Sequence, residues 1–389
     1  MKKRFITSDS TQVWDALVIG AGPAGSLAAI ELARKGVQVL LVEKRAFPRW
    51  KVCGCCLNVQ AQAVLAAAGQ DRLVSNLGGV LLDQLQLGYR GNQTLLAFPG
   101  GRALSRERFD QALVEAAIAS GACFRGSTTA VMGPIYSGAR TVTLQEYGTK
   151  QIEQVRAKVV LVAAGLAHRC IAASEATEVL IKRHSRVGAG CVLQASAAPY
   201  PSGTIHMAIG RHGYVGLVQR EDDYLNVAAA FDRQALKGSA DNCGPAEAAR
   251  VVLDSAGFVI PPGLEMAQWQ VTSSLSRRAT VISGERFFLL GDAAGYVEPF
   301  TGEGMAWALT AGAAVVPLVL AGIDHWNTDI ERRWQRVQGQ QISHRQRTCQ
   351  ALALLLRQPA ATAVAFALSK HLPVLSEQLI SQLNQVAIP

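Results

Sequence analysis

Hydrophobic positions along the chain fall into two rhythms, one of helical and one of strand period. Residues 14–19 form a short apolar run that ends in Gly20-Ala21-Gly22-Pro23-Ala24-Gly25 and passes into an Ala- and Leu-rich stretch reaching Arg34. Gly36 stops that stretch, and a β-branched and Leu run over 37–42 ends at Glu43. The order is strand, turn, helix, strand: one βαβ unit. Residues 105–120 predict a helix. Residues 123–147 and 151–164 predict strands with glycine-containing turns, and 158–163, the most apolar, is expected to rejoin the first sheet. Short β-type runs at 204–209, 213–218 and 224–230 predict a second, mainly antiparallel sheet within about 188–231. A helix follows over 241–256, then a last buried strand at 287–290 and a long apolar helix.

Composition narrows the class. The 389 residues are 49% hydrophobic and 17% charged, which suits a core-rich globular chain long enough for two domains. The net charge of +9 is scattered, with clusters no longer than Arg277-Arg278 and Arg332-Arg333, so nucleic acid is not expected as a partner. The basic start has no long apolar sequel, and no signal peptide is expected. Eight cysteines without small-domain disulfide spacing suggest reduced thiols and a cytoplasmic setting. Residues 306–323 carry no charge and almost reach membrane-spanning length, but Pro317, two glycines and the preceding motif favour a buried helix. The tail, 350–389, reads as helices broken at Pro359 and Pro373. It is expected to pack on the rest of the chain, with a membrane surface as the alternative.

The glycine turn carries the first chemistry. Gly20 permits a tight turn, Gly22 lets backbone approach a pyrophosphate, and Gly25 lets the helix pack on its strand, with Ala24 between them. Glu43 is placed to accept hydrogen bonds from a ribose, with Lys44 and Arg45 beside it. This fingerprint alone serves NAD and FAD equally. The strand at 287–290 then turns through Gly291 and Asp292 into a helix, by way of Glu298-Pro299-Phe300-Thr301-Gly302-Glu303-Gly304-Met305.

The two motifs together resemble the large FAD family of aromatic hydroxylases, geranylgeranyl reductases and flavin-dependent halogenases. The resemblance implies that Asp292 contacts the ribityl chain, and that the loop with Pro299, Gly302, Gly304 and Met305 lies beside the flavin ring. There, backbone N–H groups would face the ring edge that becomes negative on reduction. Arg49-Trp50-Lys51-Val52-Cys53-Gly54 resembles the R-x-K-x-C-G segment of the geranylgeranyl reductase branch, which implies that Cys53 and Gly54 sit near the flavin. Cys53 is a candidate catalytic residue; Cys53 and Cys56 also have the spacing of a redox dithiol or half a zinc site, and small residues packed on a cofactor are the remaining reading. No second Cys/His pair completes a zinc site, so no metal is expected. Ser105-Arg106-Glu107-Arg108-Phe109-Asp110 matches the family's S-R-x-x-F-D helix start, implying that Ser105 caps the helix and Arg106 faces FAD.

One departure stands out. The family carries Asp-Gly after the strand at 158–163, where this chain has Ala164-Gly165. NADPH or NADH as direct electron donor is thereby in question, with His168, Arg169 or a separate flavin reductase as compensation. The halogenase tryptophan motif and lysine are not evident. On the second sheet, Tyr214 and His206 are candidates to hydrogen-bond a substrate oxygen.

The expected fold is α/β. An FAD-binding Rossmann-like βαβ domain (1–80, 101–175, 271–330) is interrupted by a mainly antiparallel substrate domain (81–100, 176–270), and 331–389 form C-terminal helices. The expected function is an FAD-dependent oxidoreductase, a monooxygenase or C=C reductase, acting on a lipophilic isoprenoid, polyketide or aromatic molecule. The rivals are a dehydrogenase, a halogenase-like member of the same fold and a flavin-binding protein without turnover.

Overall fold

The computed structural model describes residues 12–98, 100–166, 170–171, 177–195, 199–237, 244–298, 300 and 302–383. The first apolar run forms strand β1 (Val13–Ile19), the glycine turn leads into helix α1 (Pro23–Arg34), and β2 (Val39–Val42) returns parallel to β1. Proline at the first helical turn wastes no hydrogen bond, and Gly36, at φ +79°, closes the end.

β1 is the centre of an eight-stranded sheet. On one side it pairs in parallel with Ile152–Val162, which pairs in parallel with Phe287–Leu289. On the other side lies β2, followed by Cys123–Arg125. Strand residues 16–18 are fully buried, as a central parallel strand requires. One sheet face is covered by α1 and by helices Arg106–Ala119 and Gly304–Ala314; the other packs against the hairpin Thr128–Tyr136 and Ala139–Glu146.

The uncharged stretch after the Gly-Asp turn forms two successive helices, Gly304–Ala314 and Val316–Asp324. It is long and apolar enough to cross a membrane, but it is the core helix of this layer, with most of its length buried. Its closeness to α1 depends on Gly312, where a Cβ would lie 2.4 Å from the Ala24 carbonyl oxygen.

The second sheet has seven strands, in the order Gln270–Ser274, Val187–Gln194, Tyr224–Phe231, Gly213–Gln219, Thr204–Gly210, Gln84–Tyr89 and Asn92–Ala97. All its pairs are antiparallel except Thr204–Gly210 with Gln84–Tyr89. Helix Pro245–Ser255 covers one face with a separate apolar core, and the other face looks toward the first sheet. The tail breaks at the two prolines: helices start at Pro359 and at Pro373.

Candidate functional site

A cavity of about 1120 Å³ runs from the glycine turn, across the face of the second sheet, to the C-terminal helices. At the turn, the three glycines serve three purposes. Gly20 adopts φ +104°, and a Cβ there would lie 2.4 Å from the Ala163 carbonyl oxygen. At Gly25 a Cβ would lie 2.0 Å from the Gly20 oxygen. At Gly22 it would meet only Arg49 Nη2, at 3.8 Å, so this position is open toward the cavity, where a phosphate can approach the backbone. Ala24 lies beneath the turn against Gly291, which adopts φ +56°. The Glu43 carboxylate accepts from the Ala21 N–H (3.0 Å) and the Arg45 N–H (3.2 Å), so it holds the turn as well as lining the cavity.

Beside the turn is a buried ion cluster. The Arg106 guanidinium donates twice to Asp110, at 2.8 and 2.7 Å. Arg49 Nη2 lies 3.2 Å from Asp110 and 3.6 Å from Glu43, while its Nε is buried without a partner. Arg106 lines the cavity, but its charge is committed to Asp110. Ser105 caps the helix through Arg108 N–H. Across the cavity, Lys51 Nζ lies 3.6 Å from Asp292 and next to Gly165.

Cys53 and Gly54 line the same space. Cys55 sits at φ +57°, next to Cys53. The adjoining Cys55 and then Arg106 bring the Cys53 thiol down to about 5 in spite of burial. Cys55 is raised well above the ordinary value by the neighbouring Cys53 and by burial, and burial pushes Cys56 up to about 12. Asn226 braces the loop, donating to the Cys53 carbonyl (2.9 Å) and accepting from the Cys55 thiol (3.3 Å). Iodoacetamide at pH 6 should label Cys53 ahead of Cys56 and Cys191, read by peptide mass spectrometry; even labelling would contradict this charge pattern.

Gly302, Gly304 and Met305 line the cavity beside Tyr296, whereas Pro299, Thr301, His168 and Arg169 lie outside the described residues. Tyr214 also lines it. Its ring stands edge-on to Phe300, with centroids 5.1 Å apart, over Arg186, which is paired with Glu298 at 2.8 Å. Burial, and then Glu298, raise the Tyr214 phenol well above its ordinary range.

His206 is a correction. Ile205, Met207 and Ile209 face the cavity, so the period-two alternation turns His206 to the opposite face. There its Nδ1 is bonded to Gln86 (2.8 Å) and its ring packs on Tyr200. Burial brings it down to about 4. Since this lies below the unfolded value of about 6.5, the folded state binds fewer protons, and stability falls as pH drops from 6.5 toward 4. His206→Gln should remove about 3 kcal/mol of that loss, measured by urea unfolding across this window. An unchanged slope would refute the assignment.

Several contributors were not singled out from sequence. Asp110 and Arg49 lay within quoted motifs, and Arg106 and Asp110 are one helical turn apart, a readable pairing. The C-terminal wall, including Leu352 and Phe366, gave no local signal. This wall is clamped to the loop before helix Gly304–Ala314: the Cys349 thiol donates to Glu303 (2.6 Å), which also meets Arg345 (3.5 Å).

A family model described as FAD binding domain matches residues 13–316, which covers both the glycine turn and the Gly-Asp loop. The chain belongs to this family of FAD-dependent oxidoreductases. Among family relatives, a digeranylgeranylglycerophospholipid reductase of Methanosarcina acetivorans is 28% identical over 358 residues, covering 85% of this chain and 82% of that protein. A menaquinone reductase of Mycolicibacterium smegmatis is 26% identical over 375 residues, covering 89% and 85%. Other curated relatives are longer: the chain spans 64% of conditioned medium factor receptor 1 of Dictyostelium discoideum and 62% of a tryptophan 2-halogenase of Chondromyces crocatus. The flavin-dependent brominase Bmp2 shares the fold, with a TM-score of 0.78 at 17% identity over 96% of this chain and 94% of that one.

FAD is the cofactor of the family, and the residues present fit it. Gly22 leaves room at the helix N-terminus, the orphaned Arg49 Nε offers a donor beside it, and Asp292 lines the cavity at the far end of the turn.

Proposed function

We propose that this chain is an FAD-dependent reductase of a C=C bond in a long lipophilic molecule of prenyl type. The observation that carries the reading is the shape of the cavity. Beyond the Cys53 loop it continues as an apolar gallery between the second sheet and the C-terminal helices, walled by Leu87, Met207, Phe300, Leu352 and Phe366. A chain of several isoprene units fits such a gallery better than a single aromatic ring does. The two reductases described above support the same reading, since menaquinone and digeranylgeranyl lipids are prenyl molecules.

Bound FAD would supply the two-electron store. Gly22, Arg49 and the end of α1 would hold its pyrophosphate, Glu43 its ribose and Asp292 its ribityl chain. Cys53, a thiol of lowered pKa, and Tyr214, a protonated phenol, would both face the reacting region. Tyr214 is the candidate donor of a proton or hydrogen bond to substrate. Whether electrons arrive from NADPH, NADH or a separate flavin reductase turns on Ala164, which withholds the carboxylate present in relatives with Asp-Gly. A thiol cluster beside the flavin works in the reduced state, which suits a cytoplasmic setting.

The test is anaerobic. The purified yellow protein is bleached with NADPH, NADH or a flavin reductase system, and a prenylated quinone or geranylgeranyl lipid is added. The reading expects reoxidation of flavin with gain of two hydrogens by the lipid. A product that gains oxygen only when air is admitted would replace it with monooxygenation.

A further inference from the structure

The cavity wall at the C-terminus is one helix thick, and its outer surface is apolar. Helix Pro359–His371 turns Phe366, Thr362 and Ser369 inward to the cavity. An amphipathic surface helix would carry polar residues on the opposite side. Here the outward row at four-residue spacing is Ala360, Val364 and Leu368, continued by Leu372 just past the helix end; Val364 is 61% exposed and Leu368 50%. The helical stretch before it meets this helix at 105°, and at that corner Leu355 both lines the cavity and is 36% exposed. The apolar wall of the cavity therefore continues onto the surface.

We propose that this outer face docks on a bilayer containing anionic phospholipid, placing the C-terminal wall of the gallery against the membrane. The proposal rests on the reading of the substrate as a long lipophilic molecule. Charge complementarity selects the occupant. Lys370 Nζ reaches Asn92 (3.2 Å), in the turn that also carries exposed Arg90, and His371 is exposed beside it. The acidic group on the next helix, Glu377, has its carboxylate bonded to the Ala97 N–H at 2.9 Å. An apolar strip edged by cations, on a chain of net charge +9, matches the acyl boundary and headgroups of an anionic leaflet. Two copies joined symmetrically on this face would bring the same cations together.

The test uses the full-length FAD-loaded protein and sedimentation with vesicles of phosphatidylcholine and phosphatidylglycerol in equal parts, against pure phosphatidylcholine. The expected result is binding to the mixed vesicles that weakens as salt rises. The double variant V364E/L368E should lower the partition on the order of tenfold or more with its flavin absorbance intact. The pair K370E/R90E should reduce binding to mixed vesicles selectively. Native protein that stays in the supernatant, or V364E/L368E that binds as native, overturns the proposal. So does a dimer in sedimentation velocity that V364E/L368E dissolves while native protein ignores vesicles. Partition is read without turnover, so the two proposals fail separately. Vesicle binding without reduction of any prenyl compound would sink the catalytic reading, whereas reduction of detergent-dispersed substrate without vesicle binding would sink this one.

Discussion

Gly25→Ala should accumulate as a protein without flavin and with a lowered unfolding temperature. The added Cβ would sit 2.0 Å from the Gly20 oxygen, 3.0 Å from Val18 Cγ1 and 3.1 Å from the Ala163 Cβ, all on buried elements. None of these is the free end of a flexible side chain, so relief requires α1 to move off β1. Overpacking of this kind costs about 3 kcal/mol, and the displacement falls on the helix end that would face the phosphates. Gly36→Ala is the control. It too has positive φ, but nothing lies within 4 Å of its Cβ position, so about 1 kcal/mol of conformational strain is the whole expected effect. The ratio of flavin to protein and a thermal melt separate the two. A Gly25→Ala protein with full flavin and a native melt would refute the packing argument.

Asp110→Asn should be at least as damaging, for an electrostatic reason. Asp110 is fully buried and is the shared counter-charge of two guanidiniums, those of Arg106 and Arg49. Neutralising it leaves Arg106 buried without its counter-charge and Arg49, whose Nε is already unpaired, with Glu43 at 3.6 Å. Breaking one side of a buried pair costs roughly 3–5 kcal/mol. Urea unfolding measures the loss, and weakened FAD retention should accompany it because Arg49 also bonds the Ala21 carbonyl (3.5 Å) in the glycine turn. The companion R49M removes a cation instead of stranding one, so it should unfold at higher urea than Asp110→Asn. The reverse order would show that Asp110 matters for shape and not for charge.

What was legible in the sequence was what depends on local geometry. The glycine turn, the Ser105 cap, the Gly-Asp turn and the tail breaks at Pro359 and Pro373 each follow from a backbone requirement that a few neighbouring residues declare. What was hidden depends on which side of an element meets another. His206 was chosen for its chemistry, but a strand places alternate residues on opposite faces, and only the neighbours Ile205 and Met207 tell which face is the cavity. The cysteine spacing left several readings open, and it gave no sign that the Cys55 thiol is held by Asn226, 171 positions away. The Arg49–Asp110 contact joins residues 61 positions apart, and no motif spacing encodes that distance.

The Glu303–Cys349 and Glu303–Arg345 contacts fasten a wall built from the last fifth of the chain to a flavin-side loop encoded well before it. The two ends of the cavity are thus written in different stretches of the sequence, joined at buried carboxylates, Glu303 and, through Arg357, Glu298. Selection can lengthen, shorten or reshape the gallery through residues 352–380 while the glycine turn stays untouched. Descendants of this architecture are free to diverge at the tail end of the cavity long before they diverge at the glycine turn.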